Sequence, residues 1–529
     1  KLSGKDSTQT ANNAPMPVHA NMEANTSLPR AESAVVQEHT KGLYAQRRDG
    51  GVDDRRFNTE GYSHIDENPF FEVARAPLST FSIDVDTASY SNTRRFLRDG
   101  RLPPKDAVRI EELINYFSYD YPQPVGDAPF SINAEVSACP WNTKHRLVHI
   151  GLQGKRVHKE DLPPANLVFL LDVSGSMNAP DKLPLVKSSL RMLAEQLSAR
   201  DRLSIVVYAG SSGLVLPSTA GDRRGEILAA LDALEAGGST NGGEGIHLAY
   251  RVAAENFIRG GINRVILATD GDFNVGTTSE GELARLIEEK RKTGVFLSVL
   301  GFGTGNVKDA TMETLADRGN GNYAYIDDVQ EARKVLGEQL GATLATIAKD
   351  VKIQVEFNPR QAAAYRLIGY ENRLLRDQDF NDDTKDAGEI GAGHTVTALY
   401  EVVPFGQKFD AGDIDGLKYQ KPAEVFASAD SKELMTIKVR YKDPEESASK
   451  LLSVWVSDAG GTLESASNNF KFSSAVAGFG MLLRDSKYKG GVRYTDVAAL
   501  ARAAAGADTQ GYRTEFIQLV ERAQTLARN

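Results

Sequence analysis

Five apolar runs, separated by helix-like segments, constrain the fold of the middle of this 529-residue chain more than any other feature. They read NLVFLLD, RLSIVVYA, NRVILATD, VFLSVLG and NYAYID, and all fall between residues 166 and 327. Runs that are apolar on both faces are typical of strands inside a parallel sheet with helices on each side. In the first intervening segment, apolar residues recur at spacings of three and four over 183–197, which predicts a helix with one buried stripe. The sequence therefore predicts an α/β, doubly wound domain over residues 161–346.

The regions on either side of this domain have different patterns. Residues 1–76 are polar, with apolar residues at no consistent period, and this composition predicts a disordered tether. Residues 77–160 predict helices followed by two alternating strands, and 347–460 predict a β-rich region whose strands could pair with 130–153. Residues 461–529 predict helices. The expected architecture is a Rossmann-like, mostly parallel α/β domain flanked by a β-sandwich-like region and a helical C-terminal region.

Composition excludes several classes of function. The chain has 62 Lys plus Arg against 71 Asp plus Glu, a net charge of -9, and no basic block, so we expect no nucleic-acid partner. Cys139 is the single cysteine, which excludes an intramolecular disulfide and a multi-thiol zinc site. No stretch of about 18 apolar residues occurs, so no transmembrane helix is predicted. The first residue is Lys1 rather than Met, which is compatible with a signal or lipid anchor removed upstream.

Oxygen-bearing side chains follow the predicted strands at the rim where sheets of this kind bind ligands. Asp172, Ser174 and Ser176 end the first run, Thr240 lies in GGSTNGG ahead of a helix, and Asp270 ends the third run. Hydroxyls and carboxylates without His or Cys suit Mg²⁺, Mn²⁺ or Ca²⁺ rather than zinc. If the hydroxyls bind directly, the cation stays electron-poor and its open position attracts a carboxylate. N-caps and turns use the same residue types, but the agreement of three separate segments favours a metal site.

These residues resemble the metal-ion-dependent adhesion site (MIDAS) of von Willebrand factor type A (VWA) domains. The segments DVSGS, GGSTNGG and TDG match its pattern without a substituted ligand. The resemblance implies that five residues surround the cation, namely Asp172, Ser174, Ser176, Thr240 and Asp270. It also implies that an acidic side chain of a protein partner completes the shell. We therefore expect a divalent-cation-dependent protein-binding module with no catalytic residues.

The flanking segments resemble those of bacterial YfbK-type VWA proteins over about 77–529, including FSIDVDTASYSNTRRFL and YRLIGYENR. Members of that family often carry a lipoprotein-type signal, which implies a location in the cell envelope. Two alternatives remain open. One is a metal-dependent hydrolase, for which Asp272 is the least unlikely general base. The other is a structural envelope component in which the metal only stiffens the rim.

Two further acidic groups offer weaker candidate cation sites. Asp84 and Asp86 lie at the end of a strand, where a helix start is the simpler interpretation. Aspartates alternate over 377–383, but Asp382 replaces the turn glycine of an EF-hand and Gly388 falls where its bidentate glutamate belongs. An EF-hand is thus excluded, and another calcium loop stays a minor alternative.

Overall fold

The computed structural model describes residues 60–83, 86–238, 242–271, 280–305, 307–339, 345–407, 409, 427–444 and 446–528. Most of the predicted tether, residues 1–59, lies outside this set. The remainder, 60–76, contains a short strand paired with a strand about 290 residues further on, and Val73 within it is buried. The tether boundary at residue 76 is therefore wrong. Residues 60–76 have no periodic pattern of their own, but contacts with residues distant in sequence give them a defined structure.

Ten antiparallel strands form two five-stranded sheets. The strands of the first sheet, in spatial order, are β1 (Phe71–Glu72), β12 (Ala362–Ile368), β14 (Thr395–Pro404), β4 (Arg146–Gly154) and β3 (Phe130–Ala138). Those of the second are β13 (Gly388–Gly391), β11 (Thr346–Phe357), β15 (Glu433–Lys442) and β16 (Ser449–Ser457), with β2 (Leu78–Ser82) also paired to β11. The strands before and after the α/β domain thus share sheets, and β4 lies between β3 and β14.

The two sheets face each other across a shared apolar core. Val148 and Ile150 of β4 pack in the same cluster as Ile353 of β11 and Ile437 of β15. The alternating sequence of β4 predicted a half-buried strand, yet nearly all of it is buried. The reason is that Leu147, on the other face of β4, packs against the C-terminal helices. The region is a β-sandwich with a helical layer on one of its outer faces.

The α/β domain is inserted between β4 and β11. Its six strands are β5 (Ala165–Asp172), β6 (Arg202–Tyr208), β7 (Ser212–Ala220), β8 (Ile262–Thr269), β9 (Phe296–Phe302) and β10 (Tyr323–Ile326). Their order is β10-β9-β8-β5-β6-β7, and all neighbours are parallel except β6 and β7. Every residue of the central strand β5 is buried, as expected for a strand covered on both faces.

Helices lie on both faces of this sheet and against the sandwich. Before the insertion are α1 (Ala88–Arg98) and α2 (Ile110–Asn115). Within it are α3 (Leu183–Ala194), α4 (Arg224–Asp232), α5 (Gly242–Glu255), α6 (Glu280–Arg291), α7 (Asp309–Arg318) and α8 (Val329–Arg333), the last continued by a π-helical turn, Lys334–Glu338. The C-terminal region contains α9 (Asn468–Arg484), α10 (Tyr494–Ala503) and α11 (Tyr512–Leu526). None of the helices in the described residues has the length and apolar character needed to cross a bilayer.

Candidate metal centre at the sheet rim

Two neighbouring parallel strands bring the predicted aspartates to one edge of the sheet. Asp172 is the last residue of β5, and Asp270 directly follows β8. The two strands pair in register, with Leu171 opposite Ala268. Because the carboxyl ends of parallel strands meet at the same edge, both carboxylates reach the rim, where both are buried.

The loop after β5 holds its side chains by short-range hydrogen bonds. The Ser174 N–H donates to Asp172 Oδ1 at 2.9 Å, and the Ser174 and Ser176 hydroxyls lie 3.0 Å apart. Met177 is fully buried in the domain core, which anchors the loop from below. Ser174 is also buried, whereas Ser176 is exposed to solvent. Ser176 therefore forms the solvent-facing side of the site, and Ser174 and the two aspartates are buried.

Tyr208 and Thr269 fix the Asp172 carboxylate. The Tyr208 hydroxyl donates to Oδ2 at 3.2 Å and the Thr269 hydroxyl donates to the same atom at 3.4 Å. Tyr208 ends β6 directly opposite Asp172. The sequence analysis missed both residues, although the position of Tyr208 at the end of an apolar run was a usable signal. These contacts orient one carboxylate oxygen before any cation arrives.

Lys182 contacts the second carboxylate and is also absent from the sequence prediction. Its Nζ donates to Asp270 Oδ2 at 2.7 Å, and both side chains are buried. The lysine stem packs over Gly303, where a Cβ would lie 2.4 Å from Lys182 Cγ. With φ of +76°, Gly303 also has a backbone conformation that side chains disfavour. Gly303, the middle glycine of GFGTG, therefore leaves space for the Lys182 side chain.

Burial raises the pKa of Asp172, and the nearby Asp270 carboxylate raises it further, while hydrogen bonds from Ser174 and Tyr208 lower it. A buried pair of carboxylates resists full ionisation unless positive charge is close. Lys182 supplies one positive charge. Counting Asp172, Asp270 and Lys182 in their ordinary ionised forms, the cluster carries a net charge of -1, which a divalent cation would convert to +1.

Thr240 lies outside the described residues. The described chain stops at Gly238, whose carbonyl accepts the Gly175 N–H at 3.1 Å, and the Gly237 N–H donates to the Val173 carbonyl at 2.8 Å. The structure therefore brings together Asp172, Ser174, Ser176 and Asp270. The backbone two residues ahead of Thr240 is hydrogen-bonded to the same loop.

The donor set fits a hard divalent cation. Asp172 and Asp270 supply carboxylates and the serine pair supplies hydroxyls, with no sulfur or imidazole ligand. Among the residues the structure describes, no group of three or more His, Cys, Asp or Glu is arranged to hold a metal. A site here would therefore depend on hydroxyl ligands, and the cation would supply positive charge toward an incoming anionic group.

The weaker candidate sites have other partners. Asp377 accepts from Thr80, Asp379 from Arg376 and Asp383 from Arg440, so the three carboxylates are held by different side chains. Asp86 is buried and accepts the Tyr323 N–H at 2.8 Å. Asp84 and the proposed base Asp272 lie outside the described residues.

Comparisons with known proteins identify related families, sequences and structures. A model described as von Willebrand factor type A domain matches residues 166–338, one described as von Willebrand factor matches 56–149, and one described as Uncharacterized protein YfbK, C-terminal, matches 342–526. The chain is 45% identical over 473 residues to Uncharacterized protein YfbK of Escherichia coli (strain K12), which covers 88% of this chain and 81% of that protein. It is 28% identical over 191 residues to Uncharacterized protein sll0103 of Synechocystis, over 36% and 44% of the two chains. The solved structure of von Willebrand factor type A from Catenulispora acidiphila aligns with a TM-score of 0.39 and 16% identity, over 73% and 89% of the chains.

The inserted domain is a VWA domain, a module of the protein-interaction or adhesion type. The predicted fold class is thereby confirmed. Within that class, the identity to the Escherichia coli protein over most of both lengths shows that the chain belongs to the YfbK family.

Proposed function

We propose that this protein is a divalent-cation-dependent binding module of the bacterial cell envelope, and that a partner's acidic side chain binds the cation at the VWA rim. The observation that supports it best is the pair of buried carboxylates, Asp172 and Asp270, at one edge of the sheet with a serine pair of which Ser176 faces solvent. Mg²⁺ is the expected ion, with Mn²⁺ and Ca²⁺ as alternatives. Thr240 is proposed as the fifth ligand on the sequence pattern alone.

Charge explains why the partner group is acidic. The cluster of Asp172, Asp270 and Lys182 changes from a net -1 to +1 when a divalent cation binds. A carboxylate from a partner then finds a positive centre in a partly desolvated setting, where charge interactions are stronger than in bulk water. Without the cation the same carboxylate meets net negative charge and is repelled. Binding is thus conditional on the cation.

Cation binding is tested first on the whole chain. Mn²⁺ is titrated into the wild type, into D172N, and into D232N, whose carboxylate is 58% exposed at the end of α4. We expect the wild type and D232N to bind one ion at the rim and D172N to lose at least tenfold in affinity. Equal binding by all three proteins would contradict the site. Circular dichroism spectra check that the variants are folded.

Partner binding is tested by affinity capture from the membrane fraction of the native bacterium, with Mg²⁺ and again with chelator. The proposal expects a protein that is retained by wild type and D232N with Mg²⁺ and lost with chelator or D172N. Capture of the same protein despite chelator and despite D172N would favour a structural role for the rim. Metal-dependent turnover of phosphoester or peptide substrates would instead favour the hydrolase alternative.

The envelope location is a separate proposal, supported by the polar residues 1–59 that precede the described structure. Expression of the gene from its own start codon, followed by membrane fractionation and labelling with radioactive palmitate, tests it. Label in the membrane fraction is expected. An unlabelled product in the soluble fraction would refute it.

A further inference from the structure

Arg264 is a buried cation that forms no ion pair with any residue in the part of the chain that the structure describes. It lies near the amino end of β8, on the sheet edge opposite the metal rim, and its side chain is among the largest that are fully buried. Its Nη1 donates to the Ser298 hydroxyl at 2.6 Å, while Nε has no hydrogen-bond partner. Burying a guanidinium in this way carries a large desolvation cost unless an anion compensates it.

The other buried arginines show how unusual this is. Among the described residues, five further arginines are buried to a similar degree, and each forms an ion pair. These are Arg94 with Asp327, Glu331 and Glu515, Arg95 with Glu60, Arg109 with Glu112 and Glu313, Arg366 with Glu401, and Arg484 with Glu371. Arg264 has no such ion pair with a described residue. Desolvation lowers its pKa to about 10, which leaves it protonated at neutral pH.

A cavity of about 80 Å³ lies against this arginine. Its wall combines the VWA sheet, through Arg264 and Ser298, with the sandwich, through Thr346 of β11 and Gly391 of β13. Asn322, before β10, adds an amide. The volume exceeds that needed by one water molecule but is far too small for a nucleotide. Apolar side chains such as Ile266 and Leu300 also line the cavity. Polar groups from two parts of the fold thus share a small space with a positive charge that no ion pair among the described residues compensates.

Other titratable groups also line the cavity, and they limit what it can bind. Asp86 accepts the Tyr323 N–H, and its Oδ2 lies 3.6 Å from Arg373 Nη2, so its negative charge is partly offset. Glu389 also lines the cavity, and its negative charge raises the pKa of Arg264 against the effect of burial. Burial lowers the pKa of His394 to about 4, so this ring is neutral at pH 7. The positive charge of Arg264 is only partly offset.

We propose that this cavity binds a small oxyanion, with its oxygens against the Arg264 guanidinium and the Ser298 hydroxyl. A planar guanidinium presents paired N–H donors that match carboxylate and phosphate oxygens. A bound anion would contact both the VWA sheet and the sandwich and so stabilise the join between them. The chemical class is a phosphate, a sulfate or a short carboxylate. The site is independent of the metal rim.

Unfolding of the whole chain in chloride buffer, with sodium phosphate, sulfate or acetate added at constant ionic strength, tests the proposal. We expect at least one anion to raise the wild-type midpoint with saturation. R264M should lose at least tenfold in affinity for that anion, and S298A several-fold. R318M removes an arginine whose side chain is 55% exposed and controls for surface effects; it should respond like the wild type.

Chloride buffer alone gives a second readout. Replacing an uncompensated buried charge by an apolar side chain of similar length relieves its desolvation cost, so R264M should be at least as stable as the wild type. A marked loss of stability in R264M, no saturating response of the wild type to any of the three anions, or equal responses of R264M and wild type would each overturn the proposal. The S298A titration is an independent check, because unchanged anion affinity in S298A would also refute the geometry.

Discussion

Replacing Arg94 by methionine should weaken the contacts among three parts of the molecule and lower its free energy of unfolding. Arg94 lies in α1, and its guanidinium is fully buried. Its Nε donates to Asp327 at 2.8 Å, and Nη2 lies 2.8 Å from Glu331 in the VWA domain. Nη1 lies 3.2 Å from Glu515 of α11. One side chain thus connects the helix before the insertion, the end of the VWA domain and the C-terminal helices.

The magnitude follows from which charges remain buried. In R94M, Asp327 and Glu331 keep side-chain exposures of 4% and 1% but lose their main counter-charge. Breaking a buried ion pair by removing one partner typically costs 3–5 kcal/mol. Arg98, one turn later on the same helix, is 41% exposed; it pairs with Asp328 at 2.5 Å, also contacts Glu515, and lies 3.9 Å from Asp327. Because Arg98 is partly exposed, solvent screens its ion pairs and R98M should cost only about 1 kcal/mol, which makes it the control on the same helix.

Urea unfolding at pH 7, followed by far-ultraviolet circular dichroism, measures the difference between R94M and R98M. A second measurement at pH 5 tests the cause. Burial raises the pKa of Asp327 to about 6 even with Arg94 present, and loss of the arginine should raise it further. Protonation would then relieve the repulsion, so R94M should lose less stability at pH 5 than at pH 7. A cost below about 1 kcal/mol, equal to that of R98M and independent of pH, would refute the reasoning.

The remaining predictions concern a buried acid and the rim lysine. Burial, with Glu371 and Glu112 nearby, raises the pKa of Glu111 from 4.5 to about 8. Between these two pH values the folded state keeps a proton on Glu111 that the unfolded chain releases. The unfolding free energy therefore falls by about 1.4 kcal/mol for each pH unit of increase. E111Q should therefore lose about 3 kcal/mol less stability than the wild type between pH 5.5 and 8, and identical urea midpoints for the two proteins at both values would contradict it. K182M removes the positive charge beside Asp270 and should tighten Mn²⁺ binding on the order of tenfold, measured by electron paramagnetic resonance titration, whereas weaker binding would mean that Lys182 supports the cation.

The succession of strands and helices in the VWA domain could be predicted because each element has its own sequence pattern. The β5 run is apolar at nearly every position and is buried on both faces, and α3 has one apolar stripe that packs into the core. The family resemblance rested on motifs that are contiguous in sequence. By contrast, the defined structure of residues 60–76 depends on contacts distant in sequence. Asn68 Nδ2, for example, donates to the carbonyls of Leu367 and Gly369, and no local sequence pattern reveals this contact.

The candidate metal site was partly predictable from the sequence and the cavity beside Arg264 was not, for the same physical reason. Asp172 and Asp270 end apolar runs, and parallel pairing of β5 and β8 is enough to place them together. Arg264 lies at the start of an apolar run, where a charged residue is normally expected to face solvent. It is buried because Thr346 and Gly391 of the sandwich close over that edge, and these residues follow it by more than 80 positions. The role of a lone charge in a strand therefore depends on the surface that covers it, which is why the anion titrations of the wild type and R264M, and no feature of the sequence, decide whether Arg264 has a ligand.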